Sequence, residues 1–150
     1  MSAINLHGTA IVVGDRGVLV TGRSGAGKTT LALALADHFS RRGLFSRLVA
    51  DDQLFVAAHA GRVVCTAPAS IAGLVEVPGI GPHPLSSVTA AVIDLCICLV
   101  MPDAMRRFQE DAVETIAGCA VPALCLAERN VTAAVPAVAA KLGLAPFGPK

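Results

Sequence analysis

Residues Gly22-Arg23-Ser24-Gly25-Ala26-Gly27-Lys28-Thr29 match the pattern G-x-x-x-x-G-K-[ST] at every fixed position. The chemistry this run suits is the holding of a phosphate chain. Its glycines let backbone N–H groups turn toward an anion without a Cβ in the way. Lys28 offers a mobile positive charge to β- and γ-phosphates, and the Thr29 hydroxyl suits a Mg²⁺ ligand. The expected nucleotide contacts run over Gly22, Arg23, Ser24, Gly25, Ala26, Gly27, Lys28, Thr29 and Thr30. A chance glycine-rich turn is the alternative.

Such a loop needs an acidic element to hold the metal, and often a base. Asp51-Asp52 follows the β-type run Arg47-Leu48-Val49-Ala50. Ligands in parallel α/β sheets bind at the carboxyl ends of strands. Adjacent carboxylates there point to different sides, so one could approach a metal and the other a hydroxyl nucleophile. A turn or helix cap is the plainer use of two aspartates. Glu76 lies between an apolar stretch and Pro78-Gly79-Ile80-Gly81-Pro82. It suits a second metal-side ligand and equally a solvated loop acid. His7, beside Gly8, is ambiguous, a surface or packed histidine being the commoner case. His38, His59 and His83 have no partner spacing and receive no role.

The elements around these residues position them. Gly17-Val18-Leu19-Val20-Thr21 is a strand leading into the loop, and Thr30–Phe39 begins a helix that leaves it, runs to about Arg42 and stops at Gly43. A helix leaving the loop aims its N-terminal dipole at the phosphates. That helix is apolar nearly all round, which predicts burial on more than one side. Thr9–Val13 and Gly17–Thr21 form a hairpin through Gly14-Asp15-Arg16, so the sheet is mixed. Leu54–Ala58 and Arg62–Thr66 form a second hairpin turning at His59-Ala60-Gly61. Residues 67–85 read as loop with an apolar insert at 71–77. Ile93–Met101 is a buried strand, Val113–Ile116 and Val121–Leu126 are weaker strands, and Val131–Leu142 is a helix that Pro136 would kink. A loose tail follows from Gly143.

The length of 150 residues suits one domain, 1–150. A hydrophobic fraction of 54% against 15% charged residues predicts a globular chain. Net charge is +1, with 3% aromatics and neither Trp nor Tyr, so a basic stripe or stacking platform for nucleic acid is missing. Mean hydropathy is +0.67, yet the most apolar run, 88–101, is short and carries Asp94, so no membrane span is expected. The N-terminus lacks the charged and apolar regions of a signal peptide, which predicts a cytoplasmic protein. The high apolarity fits either burial between subunits or a core rich in Ala and Val. Five cysteines, an odd number, argue against a disulfide framework. Cys96 and Cys98 share one strand face and read as buried fillers.

His7-Gly8, the run from Gly17 to Thr29, Leu48-Val49-Ala50-Asp51-Asp52 and Leu74-Val75-Glu76-Val77-Pro78-Gly79-Ile80-Gly81 together resemble the catalytic domain of HPr kinase/phosphorylase. Arg107-Phe108, Val121-Pro122 and Glu128-Arg129-Asn130 add a weaker echo. The likeness spans about residues 5–142, and short forms made of the catalytic domain alone fit it best. The resemblance implies an α/β P-loop nucleotide-binding core of the HPr kinase / PEP carboxykinase-like type. It implies an ATP- and Mg²⁺-dependent protein-serine kinase acting on the phosphocarrier HPr, with phosphate-dependent dephosphorylation as the reverse reaction. That activity regulates carbon metabolism through the phosphotransferase system. Asp52 would exchange the proton of the substrate serine. Lys28 would bind phosphate, Thr29, Asp51 and Glu76 would serve Mg²⁺, and His7 would lie near the phosphates. Arg107, with Arg106 next to it, is the expected site arginine. A homo-oligomer, hexameric in the family, is also implied. Pro78 stands where the family has Arg, removing a charge and an N–H donor, and a few extra residues lie around 41–46. A small-molecule P-loop kinase and a nucleotide-binding regulator with little catalysis are the alternatives.

Overall fold

The structure, a computed structural model, describes residues 3–148. In chain order its elements are β1 (Ile4–His7), β2 (Thr9–Val13), β3 (Arg16–Thr21), α1 (Lys28–Ser40), β4 (Ser46–Ala50), β5 (Gln53–His59), β6 (Arg62–Thr66), β7 (Leu74–Val77), β8 (Gly81–Pro84), β9 (Ala90–Val100), β10 (Val113–Ile116), β11 (Cys119–Ala127) and α2 (Val131–Leu142). Nine strands form one mixed sheet; β7 and β8 form a separate antiparallel pair.

The long strand β9 organises the sheet. β3 runs parallel along one edge, followed by β2 and β4. The other edge is shared. Residues 90–92 pair antiparallel with β6, and residues 96–100 pair parallel with β11. The change falls at Asp94, an extra residue between the pairs Gly17↔Ile93 and Val18↔Leu95. Such a bulge reverses which face later side chains take. Ile93 therefore joins one core cluster, while Leu95, Ile97 and Leu99 join the other. The Asp94 carboxylate accepts the Gly17 N–H at 2.9 Å and pairs with Arg62 at 2.9 Å. A Cβ at Gly17 would lie 1.8 Å from the Val92 carbonyl oxygen, so this close approach requires glycine.

The two faces of the sheet carry two cores. On one, Ile11, Val18, Val20 and Ile97 meet Leu31, Leu35 and Phe39 of α1 and Val138 of α2. Each fully buried large apolar side chain there stabilises the fold by roughly 1.5–3 kcal/mol. α1 packs on both the sheet and α2, which explains its apolar residues on more than one side. On the other face, Ala10, Leu19 and Cys96 lie under Leu54, Val56 and Val63, so the β1–β5–β6 wing covers the end of the sheet near the loop. No helix among the described residues is long and apolar enough to cross a membrane.

Several expected boundaries change. The β2–β3 turn holds two residues, Gly14-Asp15, because Val13 pairs with Arg16; Gly14 takes φ 62, as the first position of a two-residue hairpin turn allows. Within 67–85 the structure has a 3₁₀ turn at Ala69–Ile71 and the β7–β8 hairpin rather than open loop. Pro136 sits inside α2 without ending it. The tail expected to be loose is tied down as far as Phe147: Leu144 packs on the core and its N–H donates to Ala139 at 2.9 Å. Residues 149 and 150 lie outside the described residues.

Candidate active site

β3 delivers the chain into the glycine-rich turn 22–27, and Gly27, with φ 95, is the N-cap of α1. No side chain caps this helix and its first turn carries no acid. The positive end of α1 thus stays open to an anion. Gly25 also takes a left-handed φ of 82, which an ordinary side chain resists. Lys28 is folded back over the turn, its Nζ donating to the carbonyls of Gly22 (3.0 Å) and Arg23 (3.1 Å).

β4 carries Asp51 and Asp52 to the same end of the sheet, where the two part. Asp51 is buried, at 4% exposure. Its Oδ1 accepts the hydroxyls of Thr29 at 2.7 Å and Thr9 at 2.9 Å, and its Oδ2 accepts the Glu76 N–H at 2.7 Å. It therefore joins the start of α1, β2 and β7. Asp51→Ala would orphan these donors at about 1–3 kcal/mol each where buried. We expect a loss near 3 kcal/mol in the unfolding free energy, measured by urea titration of the variant against wild type.

Asp52 is exposed and sits in the left-handed region at φ 68. The Gln53 N–H reaches the Asp51 carbonyl at 2.8 Å across it. That i to i+2 bond with positive φ at the centre marks the rare, strained γ-turn. Two further bonds to the Asp52 backbone hold the turn. Gly8 N–H donates to the Asp52 carbonyl at 3.0 Å, and Asp52 N–H to Thr9 Oγ1 at 3.4 Å. Strain that the surroundings impose on an exposed carboxylate is a pointer to function.

Thr29, Asp51, Asp52 and Glu76 line one cleft of about 580 Å³, completed by Ile71, Leu74 and Pro82. The Glu76 carboxylate is exposed; its backbone amide is the group on Asp51. Among the described residues no three His, Cys, Asp or Glu form a metal-holding group. A hydroxyl and a carboxylate oxygen converging at 2.7 Å nevertheless suit Mg²⁺, which keeps several waters and takes phosphate oxygens for its remaining ligands. His7 pairs with Gln53 in the β1–β5 ladder and so stands next to Asp52. It lines a neighbouring cavity of about 420 Å³ together with Gly22, Thr21 and Glu114.

Arg107 is not brought to this cleft. After β9 the chain doubles back beside β11, where Gln109 brackets the Cys125 backbone. Arg107 then lines a separate groove with Arg16, Phe108 and Lys141. The arginine that reaches the phosphate loop from outside it is Arg129. Its Nε donates to the Gly25 carbonyl at 2.8 Å and its N–H to the Ala26 carbonyl at 3.2 Å. Glu128 beside it is bonded to Arg23, with Nε–Oε2 at 3.1 Å. This pairing holds the Glu128 carboxyl below the usual carboxylate range and raises the Arg23 guanidinium. Arg23 thus faces Glu128, leaving its backbone for any ligand in the loop. Glu128-Arg129 lies at the carboxyl end of β11. The strand-end rule that singled out Asp51-Asp52 would have found it too.

A family model, the HPr Serine kinase C-terminal domain, matches residues 1–142. Among curated proteins, the HPr kinase/phosphorylase of Clostridium tetani is 40% identical over 76 residues, 51% of this chain and 23% of that protein. That of Limosilactobacillus reuteri is 44% identical over 78 residues, 51% of this chain and 22% of that protein. That of Clostridium kluyveri is 41% identical over 101 residues, 63% and 31% of the two chains. The matched stretch thus spans between a fifth and a third of these relatives. Among solved structures, the HPr(Ser) kinase/phosphatase from Coxiella burnetii superposes with a TM-score of 0.74 at 26% identity, covering 90% of this chain and 93% of that one.

Proposed function

The chain belongs to the family of HPr serine kinase C-terminal domains, and on that footing we propose that it is an ATP- and Mg²⁺-dependent protein-serine kinase acting on an HPr-type phosphocarrier. The observation that carries this reading is the division of labour at Asp51-Asp52. One carboxylate is buried against Thr29, and the other is exposed in a strained turn facing the same cleft.

The triphosphate lies along the turn 22–27 and the open end of α1, contacting residues 22–30. Lys28 leaves the carbonyls of Gly22 and Arg23 for the β- and γ-phosphate oxygens. Thr29 and Asp51 would hold Mg²⁺, with the exposed Glu76 carboxylate lining the same cleft. Magnesium held there would supply positive charge against that of the phosphates. The substrate serine enters the cleft with its hydroxyl at Asp52. Asp52 takes the proton as the seryl oxygen attacks the γ-phosphorus in line, and the bond to the β–γ bridging oxygen breaks to release ADP. Lys28, Arg129 and the loop N–H groups stabilise the charge that develops. His7, beside Asp52 in the ladder, lies near the phosphates. In the reverse direction, protonated Asp52 returns its proton to the seryl oxygen as inorganic phosphate accepts the phosphoryl group. The reading carries a cytoplasmic location and a homo-oligomer with it.

ADP formation from ATP and Mg²⁺, measured with and without HPr, tests the reading. Turnover that depends on HPr is expected. ATP binding without such turnover would point to a nucleotide-binding regulator instead.

A further inference from the structure

Three side chains stand in one row across three neighbouring strands. Thr21 of β3 pairs in register with Cys98 of β9, and Cys98 with Cys125 of β11. Residues in register project from the same face. The backbones of Cys98 and Cys125 are therefore about 4.8 Å apart, inside the span of roughly 4.4–6.8 Å that a disulfide bridges. Cys96, two residues earlier on that face, places its Sγ 3.9 Å from that of Cys98. All three are free thiols.

Their surroundings differ. Cys96 is fully buried, while Cys98 and Cys125 are half-buried. Cys96 is the more deeply buried of the two, which favours the proton on its sulfur; its contact with Cys98 lowers the Cys98 thiol to about 6 against the opposing effects of burial and of Glu114 on β10. Thr21 and Cys125 add smaller hydrogen bonds to Cys98. The same Cys96–Cys98 bond, with burial, pushes the Cys96 thiol up. Burial also raises Cys125, with Arg106 acting weakly the other way. Cys98 thus stands between two thiols that hold their protons more firmly, and it packs on the core while half-buried, where a buried filler was expected.

We propose that Cys98 is a modification site for hydroperoxides, with Cys125 as the thiol that resolves it. The Cys98 thiolate attacks the terminal oxygen of the hydroperoxide. The O–O bond breaks, and an alcohol or water leaves after taking a proton from solvent. Cys98 is left as a sulfenic acid. The Cys125 sulfur then attacks the Cys98 sulfur, the S–O bond breaks, and water carries away the hydroxyl and the Cys125 proton. Two thiols lose two electrons to the hydroperoxide. Cys96 is a positioning residue that donates to the thiolate. The row ends at Thr21, one residue before the phosphate loop, but the chemistry needs no nucleotide and stands apart from the kinase reading.

The test uses the reduced full chain, hydrogen peroxide and peptide mapping without reduction. A Cys98–Cys125 cross-link is expected as the first product. In Cys125→Ala the reaction should stop at the Cys98 sulfenic acid, trapped as a dimedone adduct. In Cys96→Ala the peroxide reaction at pH 7 should slow about two- to fourfold, since the loss of thiolate outweighs its gain in nucleophilicity. Alkylation of wild-type Cys98 by iodoacetamide should rise with pH, reach half its plateau near pH 6 and level off above it, because the thiolate is the reacting form. A Cys98 that stays reduced while other cysteines oxidise, or a dimedone adduct on another cysteine in Cys125→Ala, overturns the proposal.

Discussion

Asp52→Asn should slow phosphoryl transfer to HPr about a thousandfold while leaving ATP affinity close to wild type, general bases contributing roughly 10²–10⁴. The substitution keeps the shape of the side chain and removes its capacity to take a proton. Asn tolerates a φ of 68 as Asp does. None of the bonds that hold the turn uses the Asp52 side chain, so all survive the change. Asp51, Thr29 and the turn 22–27 are untouched, so the nucleotide end of the site remains. Single-turnover transfer at saturating ATP and HPr, beside equilibrium ATP binding, separates the two effects. Transfer at the wild-type rate would remove Asp52 from the base role and leave the rest of the site standing.

Lys28→Met should lower kcat/KM by a similar factor of about 10³, near 4 kcal/mol, and should weaken ATP binding as well. The charge meets the β- and γ-phosphates in the bound state and the developing charge in the transition state, so KM and kcat both suffer. The fold should tolerate the change. Lys28 bonds only to the carbonyls of Gly22 and Arg23, in a turn that reaches solvent, and water can take its place. Unchanged urea stability with lost ATP affinity is the expected pair of measurements. ATP affinity equal to wild type would contradict the placement of the phosphates.

The glycine-rich turn, its strand and its helix were legible because special φ values demand glycine there and the flanking periodicities agree. Asp51-Asp52 was legible through its place at a strand end. The β7–β8 hairpin escaped although its signal was present. Pro78-Gly79 lies between Val77 and Ile80, whose N–H bonds the Val77 carbonyl at 2.9 Å, with Gly79 at φ 80. This is the Pro-then-Gly arrangement of a type II turn, so Pro78 suits the backbone at the position where the family it resembles has Arg. The turn at Ala60-Gly61 is one residue shorter than the expected His59-Ala60-Gly61, and that at Ala117-Gly118 was harder to see. Both alanines take positive φ, at 51 and 50, which side chains disfavour and which tertiary pairing imposes. Sequence order after β9 says nothing of a chain that doubles back, so the separate groove that Arg107 lines was not legible. Arg129 was named only within the weaker echo at 128–130 and given no role; its left-handed φ of 57 and its bonds to Gly25 and Ala26 exist only once β11 lies beside β9.

The central claim is most directly tested by following the γ-phosphate. ATP labelled there, Mg²⁺, HPr and this chain are incubated, and the phosphorylated residue on HPr is identified by acid stability and mass spectrometry. The account predicts acid-stable phosphoserine on HPr with the wild-type chain and about a thousandfold less with Asp52→Asn. ATP bound without label on HPr, or label found only as acid-labile phosphohistidine, would contradict it.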